Sequence, residues 1–145
     1  MMLAGVTAGS AQSAAETLDW LKARNADIHS CGSKTVGISF TVVKALKGSL
    51  TLAPKYLQCE NESGSSMGIV WQEVTAVTMD PDASGWGIQV LSDRTYEGRP
   101  YVISIYFVTD TNDQYKIKLA NYMKALRHLA KLNGAKVSGD EVFNF

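Results

Sequence analysis

"NDQYKIKLANYMKALRHLAKLNGAK", residues 112–136, is the stretch whose reading decides the fold. Tyr115, Leu119, Tyr122, Met123, Leu126, Leu129 and Ala130 recur at the 3.6-residue spacing of one helix face. Asn112 or Thr111 can cap the start, and Asp113 is favourable in the first turn. Lys131 suits the C-terminal end of the dipole, and Asn133-Gly134 is a good stop. The apolar stripe spans about 120°, as expected of a helix lying on a sheet. Lys116, Lys124, Arg127 and Lys131 fall on an adjoining arc about 80° wide, which is the candidate binding surface. Exposed charges contribute little to folding, so reversing Lys124 and Arg127 is expected to leave the fold nearly intact.

What precedes this helix has another period. Val36, Ile38, Phe40 and Val42 alternate with Gly37, Ser39, Thr41 and Val43, the period-2 signal of a half-buried strand. Further strands are expected at 49–53, 56–60, 67–71, 73–79, 86–91 and 101–108, separated by polar or Gly-rich loops. Pro54, Pro81 and Pro100 all fall at strand boundaries, where a missing N–H does little harm. The connections are short, which favours an antiparallel meander over parallel βαβ units. A short N-terminal helix over 16–24 would place Thr17, Leu18 and Leu21 on one side, with Trp20 as a core anchor or a lid. The fold class is therefore α+β: a meander barrel or strongly bent sheet of about six to seven strands, a short N-terminal helix and a long C-terminal helix packed on the sheet.

A run of strands closed by one long amphipathic helix resembles a pleckstrin-homology-like domain over residues 35–134. Residues 69–77, IVWQEVTAV, look like the strand pair such domains show near the middle. Residues 124–132, KALRHLAKL, resemble the helix that plugs one barrel end. Lipid-binding members carry a basic cluster ending in Arg around the first hairpin. Here that hairpin has only Lys44 and Lys47, which speaks against phosphoinositide binding. A helix-grip fold, with a curved sheet wrapped around the last helix to hold an apolar ligand, is the competing arrangement.

Length and composition bound the function. The 145 residues suffice for one domain with one core, and 46% hydrophobic with 19% charged residues is a globular balance. Lys and Arg number 14, as do Asp and Glu, so the net charge gives nonspecific nucleic-acid binding no support. The charges are nevertheless segregated. Glu60, Glu62, Glu73, Asp80, Asp82, Asp93, Glu97 and Asp110 face only Arg94 and Arg99 over 60–111, whereas residues 112–136 carry six bases against Asp113. An acidic sheet and a basic helix attracting each other within one fold account for this.

Residues 1–14 are rich in Ala, Gly and Ser, with small-residue cleavage patterns before Gln12 and before Ala14. A charged n-region is missing. Residues 1–13 are read as a signal-peptide remnant or flexible N-terminus, and 14–145 as the single domain. Position 6 is Val, so the Leu3-Ala4-Gly5 start of a lipobox has no Cys to lipidate. No apolar stretch reaches the length of a membrane span. The expectation is a small exported bacterial protein, periplasmic or secreted and not lipid-anchored. Cys31 and Cys59 are the two cysteines, and in an oxidising compartment they can form a disulfide; two buried free thiols are the alternative.

Sites of known chemistry are sparse. His29 and Cys31 share a strand face, but two His and two Cys at no ligand spacing imply no zinc site and no other metal. Residues 80–85, DPDASG, resemble half of a calcium loop, yet position 12 of that loop is Leu91 rather than Glu, and a hairpin turn is the better account. The sequence has no G-x-S-x-G, P-loop or G-x-G-x-x-G motif. His128 reads as a solvated helix histidine, and Asp80 and Asp82 as turn residues, so no catalytic residue and no cofactor are assigned. Asn61-Glu62-Ser63 matches a glycosylation acceptor in a surface loop. Trp71, Trp86, Tyr101 and Tyr106 are expected mostly in the core. The expected function is a non-catalytic exported domain that binds a protein or another macromolecular surface. The alternative is a carrier of a small apolar ligand or lipid between sheet and C-terminal helix.

Overall fold

A computed structural model describes residues 12–35, 42–44, 50–60, 66–81, 83, 85–96 and 98–137. The segment 1–11, the 36–41 part of the first expected strand, Lys47, the 61–63 acceptor, Asp82 and Ser84 lie outside the described residues.

Helix α1, Ala14–Lys22, starts in a capping box. Ser13 Oγ accepts from the Glu16 N–H at 3.1 Å, and the Ser13 N–H donates to Glu16 Oε1 at 3.0 Å. These bonds, the backbone one foremost, hold the Glu16 carboxyl below its ordinary range. Thr17, Leu18 and Leu21 are buried. A 3-10 turn at Asn25–Asp27 leads into β1, Ile28–Thr35. There follow β2 (Val42–Lys44), β3 (Leu50–Leu52), β4 (Tyr56–Glu60), β5 (Ser66–Val70), β6 (Val74–Met79), β7 (Gly87–Tyr96) and β8 (Arg99–Phe107), then α2, Gln114–Leu132.

All strand pairs are antiparallel, in two sheets ordered β2-β1-β8-β7-β6 and β3-β4-β5. The first long strand thus pairs with the last, as in a barrel, but the sheets do not close on each other. Among the described residues no ladder joins β2 to β3 or β5 to β6, and the second break lies at a short connection. There the chain makes a 3-10 turn at Trp71–Glu73 instead of a hairpin. Trp71 is fully buried at this corner, its Nε1–H donating to Ala53 O at 2.8 Å and its backbone N–H to Lys55 O at 3.0 Å. Across the gap the sheets pack face to face, β1 on β4 and β5 on β8. A disulfide between Cys31 and Cys59, with Cα atoms 6.1 Å apart, joins them covalently.

Helix α2 closes one side of this layered core, packing on α1, β6, β7 and the Trp71 turn. The sheets meet each other directly, so the helix is not held inside one wrapped sheet as the helix-grip alternative requires. The order of elements and the pairing of β1 with β8 make the fold pleckstrin-homology-like.

Three local features differ from the sequence expectation. The β7–β8 hairpin is longer than its alternation suggested, because Gly98, at φ +78°, supports a tight turn and the strands continue to Tyr96 and Arg99. Helix α2 is capped by neither Asn112 nor Thr111. Asp110 Oδ1 accepts from the Gln114 N–H at 2.8 Å, while Asp113 takes a left-handed conformation at φ 57°, which Asp tolerates better than most residues. His128 is buried rather than solvated. Its position lies about 160° around the helix from Leu126, but α1 packs on that side and covers it.

Candidate functional site

Two cavities flank the end of β8, and Phe107 forms part of both. The first, about 690 Å³, opens between the end of α1, the turn after it, β8 and the first half of α2. Its floor is Phe107 and Tyr122, both buried, with ring centroids 5.2 Å apart in an edge-to-face pair. Burial, then the charge of Asp27, pushes the Tyr122 phenol well above its ordinary range, so the ring stays neutral at any physiological pH.

The walls are polar. Arg24 lies over Trp20 with its guanidinium carbon 3.6 Å from the ring centroid, and its Nη1 donates to Trp20 O at 2.8 Å. Opposite, Lys118 Nζ stands 3.4 Å from Asp27 Oδ1, and Asn121 completes the α2 side. The Val108 N–H donates to Asp27 O at 2.8 Å, fixing the turn against the end of β8.

The second cavity, about 360 Å³, is lined by His29, Trp86, Phe107, Val108 and Thr109. Trp86 is held between His29, in an edge contact at 5.8 Å, and Tyr106 at 4.9 Å. The Tyr106 hydroxyl donates to Asp80 Oδ2 at 3.2 Å inside the protein, so this carboxylate of the calcium-like sequence is turned inward. Gly87 permits the arrangement: a Cβ there would stand 2.8 Å from both the Ala83 Cβ and the Tyr106 ring.

The basic arc of α2 is not a uniform charged face. Lys124 is exposed, Lys116 is exposed beside Asp113 at 3.6 Å, and Lys131 is half-buried. Arg127 is also half-buried, and it reaches across to β6, donating from Nε at 3.1 Å and from Nη2 at 2.8 Å to Val77 O. It binds the helix to the outer edge of its sheet, which corrects the expectation that its charge can be reversed without effect. Arg127→Met should lower stability by about 1–3 kcal/mol, because the carbonyl loses its charged donors. Lys124→Met should stay within about 0.5 kcal/mol of the parent. Urea unfolding of the two variants side by side checks the contrast.

Each histidine has a polar neighbour within hydrogen-bond distance. His29 Nδ1 lies 3.0 Å from Ser30 Oγ, but Ser30 is fully buried. His128 Nε2 lies 2.6 Å from Gln12 O, and since a carbonyl only accepts, Nε2 carries the proton. Among the described residues no three His, Cys, Asp or Glu side chains gather into a metal site, and Cys31 and Cys59 are bonded to each other. No helix of the described residues is long and apolar enough to cross a membrane.

Sequence reasoning did not find the Phe107 cavities. One local signal was available: Trp20 and Arg24 stand four apart, a spacing that brings side chains together at a helix end. The Lys118–Asp27 pair, 91 residues apart, had no local signal.

No protein-family model matches the chain, and no curated protein matches it. Among solved structures, the PH domain from TgAPH is similar at 11% identity and a TM-score of 0.49, over 83% of this chain and 94% of that one. Inner Membrane Complex sub-compartment protein 3 from Toxoplasma gondii is similar at 12% identity and a TM-score of 0.40, over 85% of this chain and 90% of that one. What makes the fold pleckstrin-homology-like is its strand pairing and element order, independent of these two likenesses.

Proposed function

We propose that the chain is a non-catalytic, exported binding domain that recognises a protein or other macromolecular surface through the face around Phe107. The observation that carries this reading is the pair of cavities that share Phe107, the first of which sets oriented charged groups around an aromatic floor. Sites that combine apolar lining with a few placed polar groups are the usual form of a binding face. The carrier alternative puts its ligand between sheet and α2. There Leu119, Leu126, Leu129 and Ala130 are at most 2% exposed, so the protein's own side chains fill that space. Catalysis is not proposed, because His128 is engaged with Gln12 and the serine beside His29 is buried.

Photo-crosslinking in the native host tests the binding face. A benzophenone amino acid at Asn121 should give a discrete adduct, and one at Lys124 should give none. Adducts at Lys124 alone would move the binding face to the basic arc, and adducts at neither site would end the binding reading.

Export is supported by the disulfide, since such bonds persist in oxidising compartments. Of the two cleavage patterns, the cut before Gln12 keeps both the Ser13 cap and the Gln12 carbonyl that His128 uses, whereas the cut before Ala14 removes both. The mature chain is therefore expected to begin at Gln12. N-terminal sequencing of the secreted or periplasmic fraction checks this, and recovery from cytosol alone with Met1 or Met2 intact would overturn export.

A further inference from the structure

We propose that the trough on either side of Phe107 binds an extended peptide segment of a protein partner, in which an Asp or Glu lies beside an aromatic or aliphatic residue. The inference rests on the binding reading above and adds the chemistry of the occupant.

Charge selects the acid. The first cavity carries the cations of Arg24 and Lys118 against the single carboxylate of Asp27, a net charge of one positive. Lys118 and Asp27 form a solvent-exposed pair at 3.4 Å, with the lysine side chain 53% exposed. Such pairs are weak, so an incoming carboxylate can take a share of the ammonium at little loss. Arg24 is oriented beforehand by its stacking on Trp20 and by one hydrogen bond, from a guanidinium that has five N–H donors. Orientation before binding lowers the entropy lost when the ligand arrives. One added carboxylate neutralises the cavity, whereas an added cation would double its positive charge.

Shape selects the extended segment. The two cavities share Phe107 in their linings, and one extended segment is long enough to reach both. Trp86 and Val108 continue the apolar surface beyond the first cavity. Val108 is 48% exposed, and Ile117, one residue before Lys118, is 60% exposed. Exposed side chains of this size, Val108 in the second cavity and Ile117 outside both linings, offer contact to a partner larger than either cavity.

The test is selection of a phage-displayed random heptapeptide library on the full chain, followed by synthesis of the enriched peptides. Enrichment of Asp or Glu next to Phe, Tyr, Trp or Leu is expected. Binding by fluorescence anisotropy should weaken roughly ten-fold or more when the acid is changed to its amide, as loss of a charged hydrogen bond implies. It should weaken similarly in Arg24→Met/Lys118→Met, recover partly in Lys118→Arg and remain unchanged in Lys124→Met, each variant showing the parent circular dichroism. Enriched peptides that lack an acid yet lose affinity in Trp20→Leu would overturn the acidic preference while leaving the binding face in place. Absence of enrichment, binding indifferent to Arg24 and Lys118, or saturation of the trough by dodecanoate without any peptide binding would each overturn the proposal. The Asn121 crosslink tests the broader binding reading separately.

Discussion

Replacing Leu126 by Asp is expected to leave the purified protein largely unfolded. Leu126 is fully buried at the centre of the α2 stripe, in one cluster with Trp71, Val74, Val77 and Tyr122. Truncating a buried leucine already costs about 2–5 kcal/mol through lost transfer and the cavity left behind. The aspartate adds the penalty of a carboxylate with no partner in an apolar site, which it can escape only by protonating or by opening the helix–sheet interface. A domain of this size holds about 5–15 kcal/mol in all. Circular dichroism and a urea titration measure the outcome. The informative contrast is Lys124→Glu, two residues away and exposed, which should melt with the parent. A folded Leu126→Asp protein with a parental midpoint would mean that α2 does not close the core.

That contrast also marks how far the sequence could be read. The α2 stripe was legible because a helix lying on a sheet imposes one period on one face, and Leu119, Tyr122, Met123, Leu126, Leu129 and Ala130 are all buried as that period requires. His128 was not legible. Its side of the helix reads as solvent-facing until α1 is packed there, and helix–helix contact leaves no mark on the period of the first face. Arg127 was misread for a related reason. Its guanidinium is bound by a backbone carbonyl on β6, and no side-chain pattern encodes which strand edge will lie beside a helix. The strands were found mainly through alternation and loop composition. The break between the sheets at Trp71 was not: the strands 67–71 and 73–79 were separated at Gln72, but no local pattern says whether two consecutive strands pair with each other or turn into different sheets. The candidate site was hardest. Trp20, Asp27, Phe107 and Lys118 come from separate elements, and only the folded topology brings them to the same end of the molecule.

The seam between the sheets is the second place where a single change should have a large effect. Among the described residues β5 and β6 share no ladder, so contact between the sheets relies on side-chain packing and on the Cys31–Cys59 bond. The cysteines are 28 residues apart, and in the chain-entropy account closing such a loop stabilises the folded state by roughly 3–4 kcal/mol. Cys31→Ala with Cys59→Ala is therefore expected to lower the melting temperature by about 10–13 °C, given the unfolding entropy of a domain this long. Alanine is the better replacement, since the positions are 0% and 2% exposed and serine would bury a hydroxyl. Reduction of the parent protein should produce most of the same shift; no shift in either experiment would show that packing alone holds the seam. Affinity at the Phe107 trough should change far less than stability. The trough is built on β8 of the five-stranded sheet, on α2, which packs on that sheet, and on α1, which packs on α2 and on β3 of the smaller sheet. Neither cysteine lines the trough, so below its melting temperature the double variant should bind an enriched acidic peptide within about two-fold of the parent. A larger loss would mean that the small sheet, through β3, is needed to hold α1, and with it Trp20 and Arg24, in place.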